Sequence, residues 1–240
     1  MGKGKAKVGD VIHADNANWR FSGAASEHFD KHVARSIPHY AEGHELALKV
    51  SDFFLHDGAL CYDLGCATGQ LTRALGERHK VKSVRVVGID SESDMVRRAS
   101  ERCNSSGNVK IEHGDLNNYA FEPADFIVAY YTLQFVPPSV RQAAFDRIYS
   151  ALKWGGALLM FEKVRQPDAR FQDLASALYT DYKLDQGYSG DEIIAKSRSL
   201  KGVLEPFSTA GNLGLLERAG FVDITTIFKY VCFEGFLAIK

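Results

Sequence analysis

The sequence predicts an α/β chain built on a parallel sheet with helices on both faces. Three observations predict it. Apolar runs of strand length alternate with helical patterns five times, and a strand pair closes the chain. The first run ends at Asp63, and a loop holding Gly65 and Gly69 leads from it into a helix. The second run ends at another acid, Asp90, one strand–helix–strand step further on. With 240 residues, 45% hydrophobic and 25% charged, the chain has the make-up of one soluble globular domain.

The elements follow in order. The start, Met1 to Lys7, is basic and lacks an apolar core segment, so it reads as part of a disordered start over residues 1–14, not as a secretory signal. Ser22 or Ser26 caps a helix near Glu27, whose face is Phe29, Val33, Ile37 and Tyr40; Pro38 breaks it or starts the next. A second helix runs from His44 to Leu55. Together, residues 22–55 are placed to form a lid over the first strand or to cover one face of the sheet.

The first strand is Ala59–Tyr62. Two close glycines let the backbone approach a ligand where a Cβ would clash. The helix behind them presents unpaired N–H groups. Asp63, at the strand tip, can face a ligand cation. The loop reads Gly-Cys-Ala-Thr-Gly-Gln from Gly65, so it fails the G-x-G-x-x-G dinucleotide pattern. Val84–Ile89 is the second strand. Asp90 at its tip can accept from two ribose hydroxyls or cap the helix over Ser91–Ala99. Met95 can pack on a purine or fill the core. Val109–His113 is the third strand, after which Asp115 and Leu116 stand where an adenine would be met.

Phe126–Tyr130 is a buried fourth strand. Its carboxyl end carries Tyr130, Thr132 and Gln134 as substrate-side groups, because that edge of an open α/β sheet faces the ligand crevice. Ser139 caps a helix to Leu152, and Trp154-Gly-Gly156 turns into a fifth strand, Ala157–Glu162. Residues 165–208 form a polar helical insertion with Tyr179, Tyr182, Tyr188 and basic Lys183, Lys196, Arg198 and Lys201. Insertions on a rigid sheet often carry specificity. A helix over Asn212–Gly220 and strands Asp223–Tyr230 and Cys232–Ile239 complete a single domain, 15–240.

The formal net charge of −1 gives no global field for nucleic acid, and no direct nucleic-acid contact is expected. No apolar run reaches the roughly 18 residues of a membrane span. The four cysteines form no C-x-x-C pair and read as reduced, buried thiols of a cytoplasmic protein. The histidines have no partners at zinc spacing, and no metal is expected.

The Asp-Leu-Gly-Cys loop resembles that of class I S-adenosylmethionine (SAM) methyltransferases. The resemblance implies a Rossmann-like seven-stranded, mostly parallel sheet in the order 3-2-1-4-5-7-6, with S-adenosylhomocysteine as product. A closer similarity is to the carboxy-SAM synthases. It rests on Trp19-x-Phe21, Arg35-Ser-Ile-Pro-x-Tyr40, Tyr62-Asp-Leu-Gly-Cys66, Thr132-Leu-Gln-Phe135, Glu162-Lys163, Gly187-Tyr-Ser189 and Ala219-Gly-Phe221. That family converts SAM and prephenate to carboxy-SAM for tRNA wobble-uridine modification, and it implies a homodimer. The chain departs from it twice. The arginine that grips the added carboxylate is matched by Ser197, with Arg198 one residue later, and an asparagine is matched by Tyr130.

The resulting expectation is methyl transfer from SAM to a small-molecule acceptor, with carboxy-SAM synthesis or a non-catalytic SAM-binding subunit as alternatives. The donor set is Tyr40, Asp63, Gly65, Cys66, Ala67, Gly69, Asp90, Ser91, Met95, Asp115, Leu116 and Tyr130. The substrate set is Trp19, Arg20, Thr132, Gln134, Tyr182 and Arg198. Tyr40, His39 and Tyr130 are the candidate catalytic groups.

Overall fold

The computed structural model describes residues 6–240. Two short antiparallel strands, β1 (Ala6–Lys7) and β2 (His13–Ala14), open it. Helices α1 (Ala24–Glu27), α2 (Phe29–Ser36) and α3 (Tyr40–Ser51) follow. The alternating part runs β3 (Leu60–Leu64), α4 (Gln70–Arg78), β4 (Arg85–Asp90), α5 (Ser93–Cys103), β5 (Val109–His113), β6 (Ala124–Tyr130), α6 (Pro138–Ala151) and β7 (Leu152–Lys163). Helices α7 (Ala169–Asp185) and α8 (Gly190–Ser199) form the insertion, and α9 (Thr209–Ala219), β8 (Asp223–Tyr230) and β9 (Phe233–Ile239) end the chain.

The main sheet has the order β5-β4-β3-β6-β7-β9-β8. The first five of these strands are parallel, and β9 runs antiparallel to both β7 and β8. This is the order that the family resemblance implied. Strand alternation explains the two cores. Leu60, Tyr62 and Leu64 of β3 pack with Phe145, Leu216 and Phe221 on one face. Cys61 joins Val50, Leu71 and Leu75 on the other. Each fully buried Leu or Phe in such layers contributes about 1.5–3 kcal/mol.

Several boundaries differ from the sequence reading. Residues 6–14 are not a disordered start: Val8, Ile12 and Ala14 are buried with Trp19 and Ala25. Residues 1–5 of that start lie outside the described residues. α3 begins at Tyr40, not His44, because Pro38 ends α2 and His39 supplies a left-handed turn at φ 56°. α6 starts at Pro138 with no side-chain cap, so Ser139 is not its cap; proline at a first helical position needs no N–H partner. The fifth strand is longer than expected, since Trp154-Gly-Gly156 lies within β7, where the register shifts against β6. α9 starts earlier than expected because Ser208 caps it, accepting from the Gly211 N–H. All four cysteines are buried and free. Among the described residues no helix is long and apolar enough to cross a membrane.

Candidate active site

The carboxyl ends of β3, β4, β5 and β6 open into one cavity of about 1230 Å³. Residues of α1, α2 and the insertion helices line its other side.

On the β4 side, Asp90 is the anchor. Its Oδ2 accepts from the Ala67 N–H at 2.9 Å and its Oδ1 from the Glu92 N–H at 2.9 Å. These bonds fix the glycine loop to the β4 tip, while burial raises the carboxyl's pKa. Gly65, Ala67, Asp90, Ser91, Met95, Asp115 and Leu116 all line the cavity there. Met95 is 1% exposed and forms its floor. Asp115 holds its own turn by accepting from the Asn117 N–H and side-chain amide.

Three expected donor residues stand behind this wall and do not line the cavity. Asp63 is buried and accepts from the Thr72 hydroxyl at 2.6 Å. Burial pushes its carboxyl up to about 7. Cys66 is buried, with its N–H on Ile89. Gly69 starts α4 at φ 76°, where a Cβ would press on the Ala99 backbone and Cβ at 3.0 Å, so it serves helix packing. Gly65 is also required by the fold, since a Cβ there would collide with the Thr132 side chain.

On the β6 side the expectations change more. The Thr132 hydroxyl donates to Leu64 O at 2.7 Å. The Gln134 amide donates to Tyr131 O and its Oε1 accepts from the Lys163 N–H. Both line the cavity, but their side-chain groups brace the strand ends instead of standing free for a substrate. The Tyr130 hydroxyl donates to Tyr40 O at 2.7 Å. Burial raises the Tyr40 and Tyr130 phenols well above their ordinary value, so neither is poised as a base. His39 is exposed, packs against Tyr230 and does not reach the cavity. Tyr182 stacks on Tyr179 outside it. No member of the expected catalytic set is therefore placed to abstract a proton.

The lid side is built from Trp19, His32 and the insertion. Trp19 is 6% exposed, stacks on His32 and lies under Lys196. His32 is held by Asp10 at 3.0 Å, and burial, with Lys196 nearby, lowers its pKa to about 4. Tyr188 donates to the same Asp10 oxygen. Arg20, Ser197 and Arg198 are exposed at the cavity wall.

Sequence reasoning missed Tyr131 and Lys163. Tyr131 takes φ 58°, rare for a bulky residue, and its buried hydroxyl has no partner. Lys163, Lys183 and Lys196 all line the cavity with burial-lowered pKa values, Lys183 down to about 8. The two insertion lysines were visible as basic residues, but their place in the cavity lining was not.

A methyltransferase domain model matches residues 61–156. The carboxy-S-adenosyl-L-methionine synthase of Staphylococcus epidermidis is 34% identical over 223 residues, 92% of this chain and 97% of that protein. The corresponding synthase of Campylobacter jejuni is 36% identical, over 92% of this chain and 94% of its own. The chain belongs to the carboxy-SAM synthase family. As a member of that family it is a SAM-using enzyme of methyltransferase fold. Solved structures agree on the fold. The CurJ carbon methyltransferase aligns with a TM-score of 0.63 at 12% identity, over 90% of this chain and 59% of that one. Human N-acetylserotonin methyltransferase in complex with SAM aligns at 0.53 and 21% identity, over 76% of this chain and 47% of that one. Ser197 is exposed at the cavity wall, and the Tyr130 hydroxyl is committed to the Tyr40 carbonyl.

Proposed function

We propose that this protein transfers the methyl group of SAM to a small-molecule acceptor held beneath the lid. The observation that carries the reading is the pair Ser197 and Tyr130. A donor bearing an extra carboxylate needs a paired cation or several hydrogen bonds when buried. Ser197 offers one neutral hydroxyl, and the Tyr130 hydroxyl already donates to the Tyr40 carbonyl. A single hydroxyl does not replace a guanidinium fork.

The cavity fits the donor. Gly65 and Ala67 leave backbone exposed beside the Asp90 carboxylate, and Met95 and Leu116 supply apolar surface for a purine. Under this reading Asp90 holds the ribose hydroxyls, Asp115 and Ser91 flank the adenosine, and Tyr40 borders the methionine part. SAM, when bound, supplies an activated methyl group whose loss leaves a neutral thioether. The chain's residues then have to align the acceptor and exclude water. With the Tyr40 and Tyr130 phenols held protonated, the acceptor brings its own nucleophilic lone pair or loses its proton to solvent.

One observation favours the second reading, carboxy-SAM synthesis. Lys196, next to Ser197, is half-buried over Trp19 without a carboxylate at ion-pair distance among the described residues. Its ammonium could answer the added charge. The deciding measurement is the mass of the nucleoside that copurifies, together with incubation of the protein with SAM and prephenate. SAM or S-adenosylhomocysteine, with no carboxy-SAM formed, is the expected result; carboxy-SAM in either experiment rejects the methyl-transfer reading.

A further inference from the structure

The hairpin β1–β2 stands apart from the main sheet. Its strands pair only at Ala6 with Ala14 and Lys7 with His13, and neither pairs with the seven-stranded sheet. A two-stranded hairpin is marginal at best on its own. The Asp10 carboxylate, in the turn between the strands, ties it down. Its side chain is 2% exposed. Oδ1 accepts from Arg35 Nη1 at 2.5 Å. Oδ2 accepts from the Tyr188 hydroxyl at 3.0 Å and lies 3.0 Å from His32 Nδ1. His32 and Arg35 belong to α2, whereas Tyr188 lies between α7 and α8, so one anion clamps the lid to the insertion. Next to it, Gly9 packs so closely on the Tyr188 ring that a Cβ would collide.

The backbone of the same turn works against this clamp. Asp10 has φ 49° and Val11 has φ 58°. Asp tolerates the left-handed region, but a β-branched residue is an outlier there, and the exposed Val11 gains no packing in return. Strain of this kind persists only where the surroundings enforce it. A strained turn held by one buried carboxylate has two states, docked and released, and release breaks nothing in the main sheet. Val8, Trp19, His32, Ser36 and Tyr188, which the docked hairpin holds together, all line the cavity. We propose that the hairpin is a strap whose release opens the lid-and-insertion side of the cavity and admits the second substrate. The strap rests on the reading that the second substrate enters this cavity.

Amide hydrogen exchange and acrylamide quenching of Trp19 fluorescence test it on the full chain. Trp154→Phe removes the other, exposed tryptophan and serves as the background. The Val8 and Ile12 amides donate within the hairpin and should exchange faster than those of β3 and β6. Asp10→Asn suits the turn but sets an NH2 among the clamp's donors. It should speed Val8 and Ile12 exchange about tenfold and raise Trp19 quenching, with β3 and β6 amides unchanged. Val11→Asn relieves the strain and should slow that exchange about two- to fivefold and lower the quenching. The strap is overturned if Val8 and Ile12 exchange only together with the sheet, or if Val11→Asn fails to slow them. It is also overturned if hairpin exchange changes while Trp19 quenching does not, because the hairpin then frays without opening the cavity. Both measurements use the protein with neither substrate bound, so failure of the strap is distinct from failure of the methyl-transfer reading.

Discussion

Asp90 shows how one residue serves both fold and ligand. Its two oxygens accept from Ala67 and Glu92, yet a carboxylate oxygen has a second lone pair to offer, and Asp90 lines the cavity. Asp90→Ala should weaken SAM binding by about 2–4 kcal/mol, because the ribose loses a charged acceptor and the glycine loop loses its tie. Calorimetry with SAM checks this, and unchanged affinity removes Asp90 from the site. Its place was legible in the sequence, since an acid at the second strand tip follows from the strand–loop–helix spacing. Gly65 was legible as a required glycine, though only one of its two reasons showed in the sequence. Ligand space suggested it, but the Thr132 side chain also occupies the position a Cβ would need. Thr132 and Gln134 were legible as cavity residues and not as braces, because their partners Leu64 and Lys163 are remote in sequence. Tyr131 gave no signal at all, since neither a positive φ nor an orphaned hydroxyl leaves a trace in composition or periodicity.

At the scale of elements, the lid is tied down by specific bonds. Asp30 of α2 accepts from Thr68 of the glycine loop and pairs with Arg102 of α5, and the Gly23 N–H donates to Asp94 at 2.8 Å. These ties join the lid to the elements around the proposed donor, so donor binding and lid closure should be coupled. Hydrogen exchange over residues 15–40 should slow when SAM is added; protection confined to the glycine loop would leave the lid uncoupled. The same helices carry a pH response. His44 of α3 packs on the Tyr40 and Tyr130 rings, and burial lowers its pKa from 6.5 to about 4. Between those values the unfolded chain binds the proton more readily, so stability falls as pH drops from 6.5 toward 4, by up to about 1.4 kcal/mol per pH unit for this group. His44→Phe keeps a ring and removes the proton site. Its melting temperature should fall less than the wild type's between pH 6.5 and 4.5, and parallel curves would exclude His44 as a source of the acid response. Helix existence here was legible from apolar spacing. The hairpin before it was not, because Val8 and Ile12 are too few to mark strands and become buried only against Trp19 and Ala25.

Across the whole molecule, the parallel sheet supplies the glycine-loop end of the cavity and the inserted α7 and α8 supply the other wall. That division matches what could be read in advance. Sheet order and loop positions follow from alternating strands and helices, whereas the chemistry of the far wall depends on which lysines fold inward. The question of one-carbon chemistry therefore turns on α8. Ser197 sits at the cavity wall, one helical step from the half-buried Lys196. About 100° of rotation separates neighbouring residues on a helix, so Arg198 does not occupy the direction Ser197 does. Ser197→Arg would place a two-pronged cation at that position. Combined with Tyr130→Asn, which removes a phenol committed to the Tyr40 carbonyl, it should raise affinity for carboxy-SAM at least tenfold relative to SAM. Competition binding of the two nucleosides measures the ratio directly. If the wild type already prefers carboxy-SAM, then Lys196 supplies the missing charge, and Lys196→Met should abolish that preference while leaving SAM binding intact.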